Sequence, residues 1–195
     1  MAAPFCPSEQ AIIREALMDA AVRHACSNGM RRTTVDLLTT EVGISKGAFY
    51  HFFDSKEHLF LTMLERWYMD IARQSAGVYE NHAVLPPAER AALMFKTAIG
   101  LMIGRPLVRF IREEVPVLLR RLSPETLAAH FTSVDDFILN LIHQAQIPLL
   151  IEESVAVAII KTLIISIAYA EDIGASYEKA LDLTIESVCS QLIGT

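Results

Sequence analysis

Apolar residues recur along this chain at spacings of three and four, the period of an amphipathic helix, and no stretch shows the alternation of a half-buried strand. Val35, Leu38 and Val42 fall on one face, which predicts a short helix from Thr34 to Glu41 with the Thr34 hydroxyl accepting a free amide of the first turn. Gly43 follows where the chain must reverse, a place for a residue able to take a positive φ, and Ile44 is the apolar plug beneath the turn. Ser45 caps a second helix, predicted to run to about Phe53. Phe49 and Phe52, three apart, turn inward and leave Ser45, Lys46, Gly47, Ala48, Tyr50 and His51 on the outer surface. A third helix opens at Ser55 and is carried to about Tyr79 by Leu59, Met63, Trp67 and Ile71.

The same period fills the rest of the chain. A helix from Ser8 to Asn28 precedes the short pair, and others are predicted from about Ala88 to Gly104, Leu107 to Leu122, Pro124 to Gln146, Glu152 to Asp172 and Tyr177 to Leu192. Polar residues and two prolines between Asn81 and Pro87 break the chain, Gly104, Arg105 and Pro106 end one helix, Pro116 kinks or splits the next, and Pro148 stops another. The expectation is an all-α protein with an N-terminal three-helix helix-turn-helix domain, residues 1–58, and a C-terminal helical bundle domain, residues 59–195.

A helix, a tight turn and a second helix fit the major groove of DNA. Small outward side chains let such a helix approach base edges, and donors beside them reach phosphates. Thr34, Lys46, Tyr50 and Lys56 are therefore expected to hold phosphates, with Ser45, Gly47, Ala48 and His51 near base edges. Lys56 adds an ammonium to the first turn of its helix, where backbone amides already favour an anion. The run from Gly43 to Leu59, GISKGAFYHFFDSKEHL, resembles the signature G-[IV]-S-x-G-x-[FL]-Y-x-[FY]-F-x-[SN]-K-E-x-L of the TetR (tetracycline-repressor) family of transcriptional regulators. The resemblance extends back through Gly29–Val35 and the helix before it, and ends soon after Leu59. Leu37 and Thr39 depart from it, standing where the family more often has a polar residue and an alanine. The resemblance implies a DNA-binding regulator, most often a ligand-responsive repressor acting as a homodimer through its last two helices, with a C-terminal domain that varies widely. An activator, a ligand-independent regulator and a helical interaction module are the alternatives.

Charge refines this picture. The chain carries a net charge of −6, unusual for a nucleic-acid binder. Residues 1–60 hold six basic and seven acidic side chains, so most of the acidity lies further on. Arg31, Arg32, Lys46 and Lys56 flank the second helix of the motif, which gives a nearly neutral domain one basic face. Cys6, Cys26 and Cys189 are odd in number and widely spaced, as reduced thiols would be, and the opening residues lack a secretion signal, so a cytoplasmic location is expected.

Towards the C-terminus, the stretch SVAVAIIKTLIISIAYAED is apolar nearly all round. Lys161 interrupts it and it is short for a membrane span, so a helix buried on two sides is expected. Ala156, Ile160, Leu163, Ile167 and Ala170 would meet a second subunit, and Leu181, Ile185, Val188 and Leu192 would add a second stripe. Trp67, Phe95, Met102, Phe110, Phe137 and Tyr169 are candidates to line an effector cavity, although bundles need large apolar residues at such spacings for packing alone. Arg105, Arg109 and Arg112 could receive an acidic effector, with salt bridges to neighbouring glutamates the stronger expectation. His24 and Cys26 point apart on a helix, and no nucleophile motif or phosphate loop is present, so no metal, cofactor or enzymatic activity is expected.

Overall fold

The computed structural model describes residues 5–103 and 107–194. Gly104, Arg105 and Pro106, expected to end a helix, lie outside them. Among the described residues the fold is all-α with no strand, and Leu149 and Ile193 form an isolated antiparallel bridge. The helices are α1 (Pro7–Ser27), α2 (Val35–Val42), α3 (Lys46–Phe49), α4 (Lys56–Asn81), α5 (Pro87–Ile103), α6 (Leu107–Glu113), α7 (Val115–Leu119), α8 (Pro124–Gln144), α9 (Glu153–Ile167), α10 (Ala170–Ile173) and α11 (Tyr177–Leu192). They divide into two compact units: Met1–Trp67 with Arg109–Leu122, and Tyr68–Val108 with Ser123–Thr195.

The first unit extends beyond residue 58, where the sequence placed the domain boundary, and it draws in a second stretch of chain. Ring packing accounts for both additions. Phe60 and Phe110 stack with centroids 5.9 Å apart, and Trp67 meets Phe110 edge-on at 6.1 Å, so the beginning of α4 and the end of α6 share one core. Pro116 splits its helix as expected: without an amide hydrogen it cannot bond back into the preceding turn, so α6 ends at Glu113 and α7 begins at Val115. Counting Arg109–Leu122, this unit holds eleven basic and ten acidic side chains, a net charge of +1, while the other unit carries −7. The positive balance was hidden in the sequence because four arginines of the unit come from residues 109–122.

The second unit contains the remaining helices, among which α5 and α11 pack most extensively. Its expected penultimate helix is broken. α9 stops at Ile167 and the short α10 follows, because the Ser166 hydroxyl turns back onto the Leu163 carbonyl at 2.7 Å and also meets the Tyr177 hydroxyl at 3.0 Å. A serine bonded to its own helix backbone bends that helix. Of the stripes expected to meet a second subunit, Ala156 and Ile167 are buried within the chain, as are Leu181 and Ile185 of α11, while Ile160, Leu163, Ala170, Val188 and Leu192 are half-buried. Exposed apolar positions lie elsewhere, at Val155, Ile165, Tyr169, Ile173 and Leu183. A helix apolar on every side carries no signal in its sequence of which side its own domain covers. No helix among the described residues is long and apolar enough to cross a membrane.

Candidate nucleic-acid interface

α2, the turn after it and α3 are fixed by three local devices. Thr34 Oγ1 accepts the Leu37 amide at 3.1 Å, and Ser45 Oγ accepts the Ala48 amide at 3.1 Å, so both helices start on a side-chain cap. Gly43 closes α2 at φ 75°, ψ 31°, and the Ile44 amide reaches the Thr39 carbonyl at 3.0 Å. Below them, Leu38 and Phe49 are fully buried, as are Leu17 and Ala21 of α1, which packs on α2. α1 is tied to α2 by Glu41, whose carboxylate accepts from Arg23 Nε at 2.7 Å and pairs with His24 Nε2 at 2.9 Å. The Arg23 hydrogen bond, foremost, holds the Glu41 carboxyl below its ordinary pKa.

α3 is shorter than its sequence suggests. It ends at Phe49, after which the His51 amide bonds to Ala48 and that of Phe52 to Phe49, each reaching back three residues instead of four. The tighter winding rotates the residues that follow. Phe53 takes the interior place expected of Phe52, at 1% exposure, while Phe52 lies half-buried with its ring 6.0 Å from that of Phe5. Ala48 is buried too, at 9% exposure, and so does not stand on the outer face as the spacing had it. Lys46, Gly47, Tyr50 and His51 are exposed together with Ser45 and Thr34. Lys46 makes a 3.1 Å ion pair with Asp36 in which both side chains are more than half exposed, a weak pairing that an incoming phosphate can replace.

Lys56 differs from the expectation most clearly. Its ammonium points into the unit and donates to the Met30 carbonyl at 2.9 Å and the Thr33 carbonyl at 2.7 Å. Burial lowers its pKa. Its visible role is to hold the loop ahead of α2, which sequence could not reveal because both acceptors are backbone atoms more than twenty residues away. Glu114 holds the same loop: it accepts the Arg31 amide and Arg31 Nε, each at 3.2 Å. Glu114 is 6% exposed.

The six proposed cavity residues are divided between the two units. Trp67 and Phe110 are part of the first unit's core, Met102 is buried, Phe137 is half-buried and Tyr169 is exposed. Phe95 alone of the six lines a cavity of about 40 Å³ in the second unit, with Ile142, Ile160, Leu163, Val188, Cys189 and other aliphatic side chains around it. Burial pushes the Cys189 thiol up to about 11. Arg109 pairs with Glu113 at 3.1 Å, and Arg105 lies outside the described residues.

A capped α2, a glycine-closed turn and an exposed α3 on a three-helix base define a helix-turn-helix protein. Residues 17–63 match the model of the family described as bacterial regulatory proteins, tetR family. It is 34% identical over 76 residues to the HTH-type transcriptional regulator YerO of Bacillus subtilis and 35% identical over 77 residues to the HTH-type transcriptional repressor AcnR of Corynebacterium diphtheriae. Those matches take in 39% and 40% of this chain but 26% and 39% of the two relatives. Across 90% of this chain and 96% of the other, the fold is similar to the transcriptional regulator FadR of Bacillus subtilis in complex with stearoyl-CoA, with TM-score 0.60 and 17% identity.

Proposed function

We propose that the protein is a sequence-specific DNA-binding regulator that represses transcription as a two-fold dimer and leaves DNA when a small hydrophobic effector binds. The exposed residues of α3 and of the turn after it carry this reading: Lys46, Gly47, Tyr50 and His51 stand clear of the core, and Ser45 fixes where the helix starts. Thr34, Lys46 and Tyr50 serve phosphates, while Ser45, Gly47 and His51 approach base edges. Ala48 belongs to the core, and Lys56 acts first on the protein's own backbone. The matched repressor AcnR supports repression. The stearoyl-CoA held by the structurally similar FadR supports an apolar effector. The exposed apolar positions on α9, α10 and α11 support the dimer.

Selection of duplexes by the wild-type protein from a random-sequence pool tests the reading. The expected outcome is a repeated motif in two half-sites, bound with an affinity that falls steeply with salt. A pool without enrichment overturns it. Titrating stearoyl-CoA with and without the selected duplex tests the effector class, since an inducer must bind the DNA-free protein more tightly.

A further inference from the structure

We infer that Glu114 is a positioning residue for DNA binding, acting through Arg31 on the loop that sets where α2 begins; this rests on the proposed function. Gly29–Thr33 is held by several polar contacts. The Gly29 carbonyl accepts the Thr33 hydroxyl at 2.9 Å, the Met30 carbonyl accepts both the Thr33 amide and Lys56, and the Thr33 carbonyl accepts Lys56. The Arg31 amide donates to Glu114 Oε2, and Arg31 Nε donates to Glu114 Oε1. Thr34, the cap of α2, is the next residue along.

Two further observations show that the site is built for this carboxylate. Gly29 sits at φ 75°, and a Cβ there would stand 2.7 Å from Glu114 Oε1, so a side chain at Gly29 would displace the carboxylate. Glu114 itself lies at the break between α6 and α7, in the αR conformation, where the split forced by Pro116 directs it to the loop. A carboxylate at 6% exposure is costly without partners, so its two donors must stay where they are. Arg31 is the outer half of the pair, its side chain 55% exposed. Glu114 also comes from the segment Arg109–Leu122, whose neighbours in the chain on both sides belong to the other unit. The start of α2 is thus set in part by residues outside the N-terminal segment.

The experiment uses the duplex selected by the wild-type protein and the full-length variants Glu114→Gln, Arg31→Gln and their combination. Glu114→Gln keeps the shape and loses the charge; Arg31→Gln removes the same pair from its exposed end and leaves the Arg31 amide as a donor to Glu114, and thermal melts check that each variant is folded. Each single variant should bind the duplex about tenfold more weakly, and the double variant little more weakly than either, because both break one linkage. The salt slope should equal that of the wild type in all three, since a positioning pair gives up no phosphate contact. Wild-type affinity in a folded Glu114→Gln or in Arg31→Gln overturns the inference, and so do losses that add in full. A slope reduced by about one in Arg31→Gln also overturns it, by making Arg31 a phosphate contact. If Glu114→Gln fails to fold, Arg31→Gln alone decides by the same affinity and slope. A pool that yields no duplex at all refutes the DNA-binding reading and is a separate result.

Discussion

Lys46 and Lys56 show how one residue type serves two purposes ten positions apart. The Lys46 ammonium is in water beside a weak partner, so a phosphate can claim it, whereas that of Lys56 is bound to two carbonyls. Lys46→Ala should therefore lower the salt slope of DNA binding by about one with little change in thermal stability. Lys56→Ala should instead lower stability by about 2 kcal/mol through the loss of two charge-assisted hydrogen bonds, seen as a drop in Tm. Salt-dependent binding and thermal melts on the two variants check both. Glu41 gives a pH dependence. Its folded pKa lies below its unfolded one, so the stabilisation it contributes is present above the ordinary value of 4.5 and is lost as pH falls through the folded value. Tm should fall with acidification below about that pH, and Glu41→Gln should flatten this limb of the profile.

Among the elements, α2 and its turn were the most legible in sequence, because a cap, a periodic apolar face and a glycine are all local signals. Gly43 has open space around the position of a Cβ, so its requirement is the backbone angle and not room. Gly43→Ala should cost about 1–2 kcal/mol, and Gly43→Asn less, as thermal or denaturant unfolding can show. Features decided at long range were less legible. α3 gave its start through Ser45 but not its early end, so Phe52 and Phe53 exchanged places. The break after Ile167 depends on Tyr177, eleven residues beyond Ser166, and the roles of Lys56 and Glu114 depend on partners farther still. The exposed face was read correctly at Lys46, Gly47, Tyr50 and His51, where helical spacing suffices, and missed at Ala48. Spacing alone cannot say how closely a short helix sits on its base.

For the whole molecule, apolar surface and charge are unevenly shared. Val155, Ile165, Tyr169, Ile173 and Leu183 are each at least 45% exposed, and a dimer would remove them from water. Ile165→Lys with Leu183→Lys should shift the protein from dimer to monomer in light scattering, and by separating the paired heads should abolish tight binding to a two-half-site duplex. A charge of +1 on one unit against −7 on the other should keep nonspecific association with DNA confined to the helix-turn-helix end. The unit at that end is discontinuous in sequence, taking Phe110, Glu114 and Leu118 from beyond residue 108. This limits how such a protein can be recombined. A gene fusion that joined another sensing domain after Trp67 would carry the reading helices but leave behind part of their foundation. A working chimaera must transplant Arg109–Leu122 as well, or meet a recipient that already presents an equivalent ring and carboxylate.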